Sequence, residues 1–209
     1  MIMRKLNLVF LICLSIQVSS VCETYGQFNQ NDTTILLKAF RQITSQRQIV
    51  YVDTVGPNSY VQEKLQEAFK KDTIIDKRRG NSITLTESEM NHIISQLGKE
   101  TIWYDNLFFN CKRIDSDSLL SVAKQMYAER VQSLNEAILK KDTARIKDLK
   151  QNYSYVFEFT KPIYIRDNTI CLISFNAMCG LDCGQSETSF YKKDEGEWTK
   201  WVLVSSGDF

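Results

Sequence analysis

Beyond residue 153 the apolar side chains stop recurring at helical spacing and begin to alternate, and this change of period restricts the possible folds more than any other feature of the chain. Tyr155, Phe157 and Phe159 alternate with smaller or polar neighbours. Cys171, Ile173, Phe175 and Ala177 share one face of the next run, Phe190 and Tyr191 lie in a third, and residues 198–204 make a fourth. A period of two is the pattern of a half-buried strand. Between the runs stand Arg166-Asp167-Asn168 and Asp194-Glu195-Gly196, residues suited to tight turns, with Gly196 able to take a positive φ. Strands joined by such short turns pair antiparallel, because a parallel partner needs a long crossover. The last third is therefore expected to be an antiparallel β-meander, and its apolar face needs a second layer.

That layer is expected from the preceding residues, which read mainly as helix. Ile35, Leu36, Ala39, Phe40 and Ile43 recur at helical spacing behind Asn31, Asp32 and Thr33 as caps. A short apolar strand, Ile49–Val52, ends before Gly56-Pro57, and Asn58 or Ser59 can cap a helix that buries Val61, Leu65, Ala68 and Phe69. Thr86 and Glu89 have capping-box spacing, followed by the stripe Met90, Ile93, Ile94 and Leu97, with Gly98 as the stop. Trp103, Tyr104, Leu107, Phe108 and Phe109 form an aromatic segment expected to plug the core ahead of Cys111. From Asp117 a long amphipathic helix carries Leu119, Leu120, Ala123, Met126, Tyr127, Val131, Leu134 and Ile138, all expected in the core, and Asp142 starts another helix with Ile146 and Leu149. The expected fold is α+β: one domain over residues 27–209, with a helical N-terminal half (27–152) packed on a C-terminal antiparallel β-meander (153–209).

Residues 1–26 read as a secretory signal peptide. Arg4 and Lys5 precede an uncharged apolar run over residues 6–18, which is shorter than the roughly 20 residues of a membrane-spanning helix. Only Asn7, Ser15 and Gln17 in that run are polar, too few for the wet face of a core helix. Cleavage after Gly26 leaves Cys111, Cys171, Cys179 and Cys183, an even set, whereas cleavage after Ser20 also leaves Cys22. Lipidation at Cys22 is the competing outcome, although Val21 stands where a lipobox has a small residue. The expected location is periplasmic or extracellular, with membrane attachment only through a lipidated Cys22.

Cys179 and Cys183 bracket a glycine-containing loop between two strands and are expected to form a disulfide. Closing so short a loop contributes only about 2 kcal/mol, so the bond would chiefly set loop shape. A bridge between Cys111 and Cys171 is the possible second pair; it would close about 60 residues and contribute about 4 kcal/mol. A zinc site built from all these cysteines lacks C-x-x-C knuckles. A redox pair would need the C-x-x-C spacing and a helix N-terminus behind it, and this motif is one residue longer. The motif Cys179-Gly180-x-x-Cys183-Gly184, then Tyr191-Lys192-Lys193, then Gly196-Glu197-Trp198, resembles the C-terminal hairpin of uncharacterised exported proteins of Gram-negative bacteria. Lys161-Pro162-Ile163 and the Leu85-Thr86-x-x-Glu89 helix start are similar to the same group. The resemblance covers about the last fifty residues well and implies no activity or residue role.

Catalytic patterns are sparse. His92 is the single histidine, which excludes an H-E-x-x-H site, and it shares its helix face with Ser88, Ser95, Gln96 and Lys99. Ser186 lacks the glycine that a nucleophile elbow requires, because Thr188 stands there. The acidic pairs Glu87/Glu89, Asp115/Asp117 and Glu195/Glu197 fall at helix starts or turns, where carboxylates cap backbone N–H groups. No glycine-rich phosphate loop is present. The 26 basic and 25 acidic side chains nearly cancel, so nothing draws the chain to nucleic acid, and Lys77-Arg78-Arg79 and Lys192-Lys193 read as solvated loops. No catalytic residue, cofactor or metal ligand is assigned. The chain is expected to be a non-enzymatic binding or structural module of the cell envelope, with the disulfide loop and the Trp198/Trp201 strand as its distinctive surface and a protein or envelope component as partner. The alternative is a small exported enzyme, a hydrolase or thiol-based, using carboxylates or Cys179/Cys183. An apolar patch beside the disulfide loop would favour the first, and a pocket of convergent groups with perturbed pKa values the second.

Overall fold

The computed structural model describes residues 30–208, except 46–47, 71–72, 152–153 and 181–182; the signal segment and the Cys22 site lie outside the described residues. The first helix, α1 (Gln30–Arg41), buries Ile35, Leu36, Ala39 and Phe40 as their spacing predicts. Asn31, Asp32 and Thr33 lie within the helix instead of preceding it as caps. The strand β1 (Ile49–Val52) follows, with every residue buried. The short strands β2 (Thr54–Val55) and β5 (Thr101–Ile102) pair antiparallel in a sheet of their own.

The expected split into helices first and a purely antiparallel sheet afterwards does not hold. β1 lies between β6 (Cys111–Ile114) and β7 (Val156–Phe159) and runs parallel to both, so the sheet is mixed. Four consecutive apolar residues covered on both faces are the pattern of a parallel strand, and helical crossovers separate β1 from β6 and β6 from β7. The sheet order is β11 (Glu197–Asp208), β10 (Gly184–Asp194), β9 (Ile170–Met178), β7, β1, β6; β8 (Ile163–Ile165) also pairs with β9. The antiparallel part is as expected, with β7, β10 and β8 all antiparallel to β9 and β11 to β10. Its turns use left-handed residues: φ is 52° at Arg166, 52° at Asp167 and 60° at Asn168, then 51° at Glu195 and 87° at Gly196.

One sheet face carries Cys171, Ile173, Phe175 and Ala177, with Phe157 and Phe159 in register on β7. Phe40 of α1 caps this face, its ring 4.3 Å from Phe157, 4.9 Å from Phe159 and 5.7 Å from Phe175. Trp103, Leu107 and Phe108 plug the same core as expected, but Phe109 is 97% exposed and Tyr104 is also exposed. Left-handed backbone at Asn106 and Asn110 turns the segment back on itself, so it cannot bury all its rings together.

The other face is covered in two places. Helices α2 (Ser59–Phe69) and α3 (Glu87–Leu97), with the hairpin β3 (Thr73–Ile75) and β4 (Ser82–Thr84), pack over Ile163, Ile170, Leu172, Phe190 and Val202. Asn58 caps α2 through Oδ1, and Thr86 and Glu89 form the full capping box on α3. At the far end, α4 (Leu119–Leu139) sets Ala123 against Val50, Val52, Ile114 and Val156. The following helix, α5 (Thr143–Gln151), is capped by Asp142, whose carboxylate accepts the Arg145 N–H.

Asp76 latches the β3–β4 turn to the sheet. Its Oδ1 accepts the N–H groups of Arg78 and Arg79, and its Oδ2 accepts the Leu203 N–H of β11 at 3.2 Å. Burial pushes its pKa up, but these three backbone donors outweigh it and hold the carboxyl below its ordinary 3.8. A depressed folded-state pKa means stability complete above the unfolded value and lost as pH falls through the folded one. Wild-type stability should therefore decline below pH 3.8 more steeply than that of Asp76→Asn, whose side chain does not titrate there. At neutral pH Asp76→Ala should cost about 2 kcal/mol by leaving the Leu203 donor without its partner. Urea melts across pH check both, and parallel pH profiles for wild type and Asp76→Asn would refute the latch.

Candidate functional site

Cys179 and Cys183 form a disulfide with Cα atoms 5.1 Å apart. The Cys179 N–H also donates to the Cys183 carbonyl at 2.8 Å, so the β9–β10 loop is doubly closed. Its residue Gly180 is seated on Tyr127 of the long helix α4 (Leu119–Leu139). A Cβ at Gly180 would lie 3.3 Å from the Tyr127 ring, so glycine is what lets the backbone rest so close to it. The second bridge does not form: Cys111 and Cys171 are both free thiols, on β6 and β9, with β1 and β7 between those strands. Burial raises the Cys171 thiol well above its ordinary range, which makes it a packing residue. Among the described residues no group of three metal-ligating side chains converges.

Beside the loop, α4 departs from its expected role. Val122, Ala123 and Met126 face the strands, while Leu120, Tyr127, Val131 and Ile138 are exposed and Leu139 is 84% exposed. A helix of this length reaches about 30 Å. Its N-terminal half meets the sheet and its C-terminal half is held by α5, where the Arg130 guanidinium donates through Nε and Nη2 to the Leu149 carbonyl. Apolar residues thus occur on two sides of one helix, and a single-stripe reading of the sequence merges them. Tyr127, Val131 and Leu139 line one shallow concavity with Ala128 and Asn135.

The tryptophan strand is not part of this surface. Trp198 is buried against Tyr164, with ring centroids 5.9 Å apart, while Trp201 packs into the α2–α3 cluster. The sheet is covered on both faces there, which removes the surface expected for that strand.

Other residues of chemical interest lie apart from one another. His92 is exposed on α3. Glu89 is tied to Arg166 at 2.8 Å, and that guanidinium holds its carboxyl below the usual range. Asp115 caps a 3₁₀ turn, and Glu197 pairs with Lys38. Three tyrosines have raised pKa values, Tyr51 at about 12 with Tyr164 and Tyr191 higher still, and burial is the first cause in each. Two further concavities lie over the sheet. Lys112, Glu129, Arg130 and Arg145 line one of about 450 Å³ between α4, α5 and β1. The other, about 390 Å³, opens between the two helical covers and is lined by Asn58, Glu158, Ser174, Asn176, Ser186 and Thr188 among others. Sequence reading considered Ser186 only as a nucleophile and Asn58 only as a helix cap, and passed over the rest.

Compared with known proteins, the chain matches no family model, no curated protein and no solved structure. Among the described residues no helix is long and apolar enough to cross a membrane.

Proposed function

We propose that the protein is a non-enzymatic binding module of the cell envelope that engages a protein or envelope partner through the exposed face of α4 beside the disulfide loop. The observation that carries this reading is the series of exposed apolar side chains along α4, Tyr127, Val131, Ile138 and Leu139, whose first member is approached by Gly180 of the closed Cys179–Cys183 loop. Exposed apolar groups gathered on one element mark an interaction surface, whereas scattered single ones do not. The disulfide ties the two ends of the loop together, which lowers the ordering cost of docking. A disulfide also suits an oxidising compartment, in keeping with the signal-like residues 1–26. The enzymatic alternative draws less support, because the strongly shifted Tyr164 and Tyr191 line none of the three concavities described above.

A photo-crosslinking residue placed at Val131, and for comparison at Ser95 on α3, tests this in intact cells. A discrete adduct is expected from position 131 and not from 95, and Tyr127→Glu should abolish it. Identical patterns from both positions, or no adduct from 131, would count against the reading.

A further inference from the structure

We propose that the concavity in the middle of the sheet face is a saccharide-binding groove. Register makes the case. Glu158, Asn176, Ser186 and Gly207 stand opposite one another across β7, β9, β10 and β11, and Ser174, Thr188 and Ser205 form the adjacent row. On either side the same face turns apolar, with Leu172, Phe190 and Val202 beneath α2 and α3, and Val156 and Met178 towards α4. Polar side chains therefore interrupt the apolar face over two adjacent rows, beside the N-terminal end of α2. Packing alone would favour apolar residues at these positions, because a buried hydroxyl must be desolvated and then paired.

The floor of the groove is organised. Ser174 and Thr188 are only 3% and 2% exposed, yet both line it. Their hydroxyls lie 3.0 Å apart, and the Asn58 amide donates to Ser174 Oγ at 3.4 Å. The Asn176 amide reaches Glu158 Oε2 at 3.4 Å. Tyr60, which is 61% exposed, forms a wall.

This inventory selects a ligand class. Hydroxyls, two amides and one carboxylate offer donors and acceptors in mixed order, with no cation among the lining residues. A phosphate or nucleic-acid backbone would meet the Glu158 charge, and Lys64, whose ammonium lies 5.8 Å from the Tyr60 ring centroid, is already paired with Glu67. A pyranose fits, since its hydroxyls both donate and accept and its ring presents an apolar C–H face to an aromatic side chain. Glu158 is the single carboxylate in the groove, whereas glycoside hydrolysis by paired carboxylates needs a second one. The role assigned to the groove is therefore one of binding, with no carboxylate pair to support cleavage. These residues are separate from the α4 docking surface, so either reading can fail alone.

Titration of the isotopically labelled protein with chitotriose, maltotriose and cellotriose, followed by amide NMR shifts, tests the proposal. At least one should give saturable shifts on β9 and β10 with a dissociation constant of about 1 mM or tighter. Asn176→Ala and the surface change Tyr60→Ala should each weaken that binding about tenfold, as one or two lost contacts would. Absence of saturable shifts with all three sugars would overturn the proposal, as would binding that survives both substitutions unchanged or saturable shifts at these amides from inorganic phosphate.

Discussion

Replacing Phe40 with alanine should lower the free energy of unfolding by about 3–5 kcal/mol. The ring is fully buried and lies at the meeting point of α1 and the sheet, in edge or tilted contact with Phe108, Phe157, Phe159 and Phe175. Aromatic pairs in these geometries add about 0.5–1.5 kcal/mol beyond the area they bury. Removing the ring also leaves a cavity whose walls come from β7 and β9, a rigid sheet that cannot collapse to fill it. Phe40→Leu should recover most of the loss, leaving a cost of about 1.5 kcal/mol or less. Urea denaturation of the three proteins measures both differences. A loss near zero for the alanine variant would mean that α1 does not stabilise this face.

How far the sequence foretold this packing depends on the range over which each feature acts. The capping box at Thr86 and Glu89, the cap at Asn58 and the turn at Glu195-Gly196 are local, and each formed where its spacing placed it. The alternation in β7 and β9 was legible for the same reason, since one strand's own residues define its two faces. The place of β1 was not legible. Its partners β6 and β7 lie far along the chain, and nothing within Ile49–Val52 says which strands will flank it. A run of apolar residues states only that both faces are covered.

The candidate sites divide in the same way. Cys179 and Cys183 are neighbours in sequence, so their bond could be anticipated, whereas Cys111 and Cys171 needed a proximity that the strand order denies. The polar rows are non-local throughout. Asn176, Ser186 and Ser205 each look like an ordinary outward-facing residue of its own strand, and only the pairing register sets them side by side. On α4 the failure was one of direction: Tyr127 and Val131 have helical spacing, but that spacing says nothing about which of two apolar sides meets the sheet.

The second large effect should come from Trp103, through a different balance of terms. Its indole is buried, lies 4.7 Å from the Phe159 ring and donates from Nε1 to the Phe159 carbonyl at 2.9 Å. Its backbone is held as well, the N–H by the Asp53 carbonyl and the carbonyl by the Arg113 guanidinium. Trp103→Ala should therefore cost about 3–5 kcal/mol for the lost ring and cavity. A further 1–3 kcal/mol or so arises where the buried Phe159 carbonyl loses the indole donor. Trp103→Phe separates the two contributions, because it keeps most of the ring while removing the donor, and its cost should be close to the second figure. Phe40 and Trp103 both contact Phe159, whose ring lies 4.9 Å from Phe40. Their effects should therefore not add, and a double-mutant cycle should return a coupling of about 0.5–3 kcal/mol, whereas independent sites would give a value near zero. Additive losses would show that Phe159 does not transmit packing between α1 and the aromatic plug, and a Trp103→Phe variant as stable as wild type would show that the indole N–H contributes nothing to holding β7 in place.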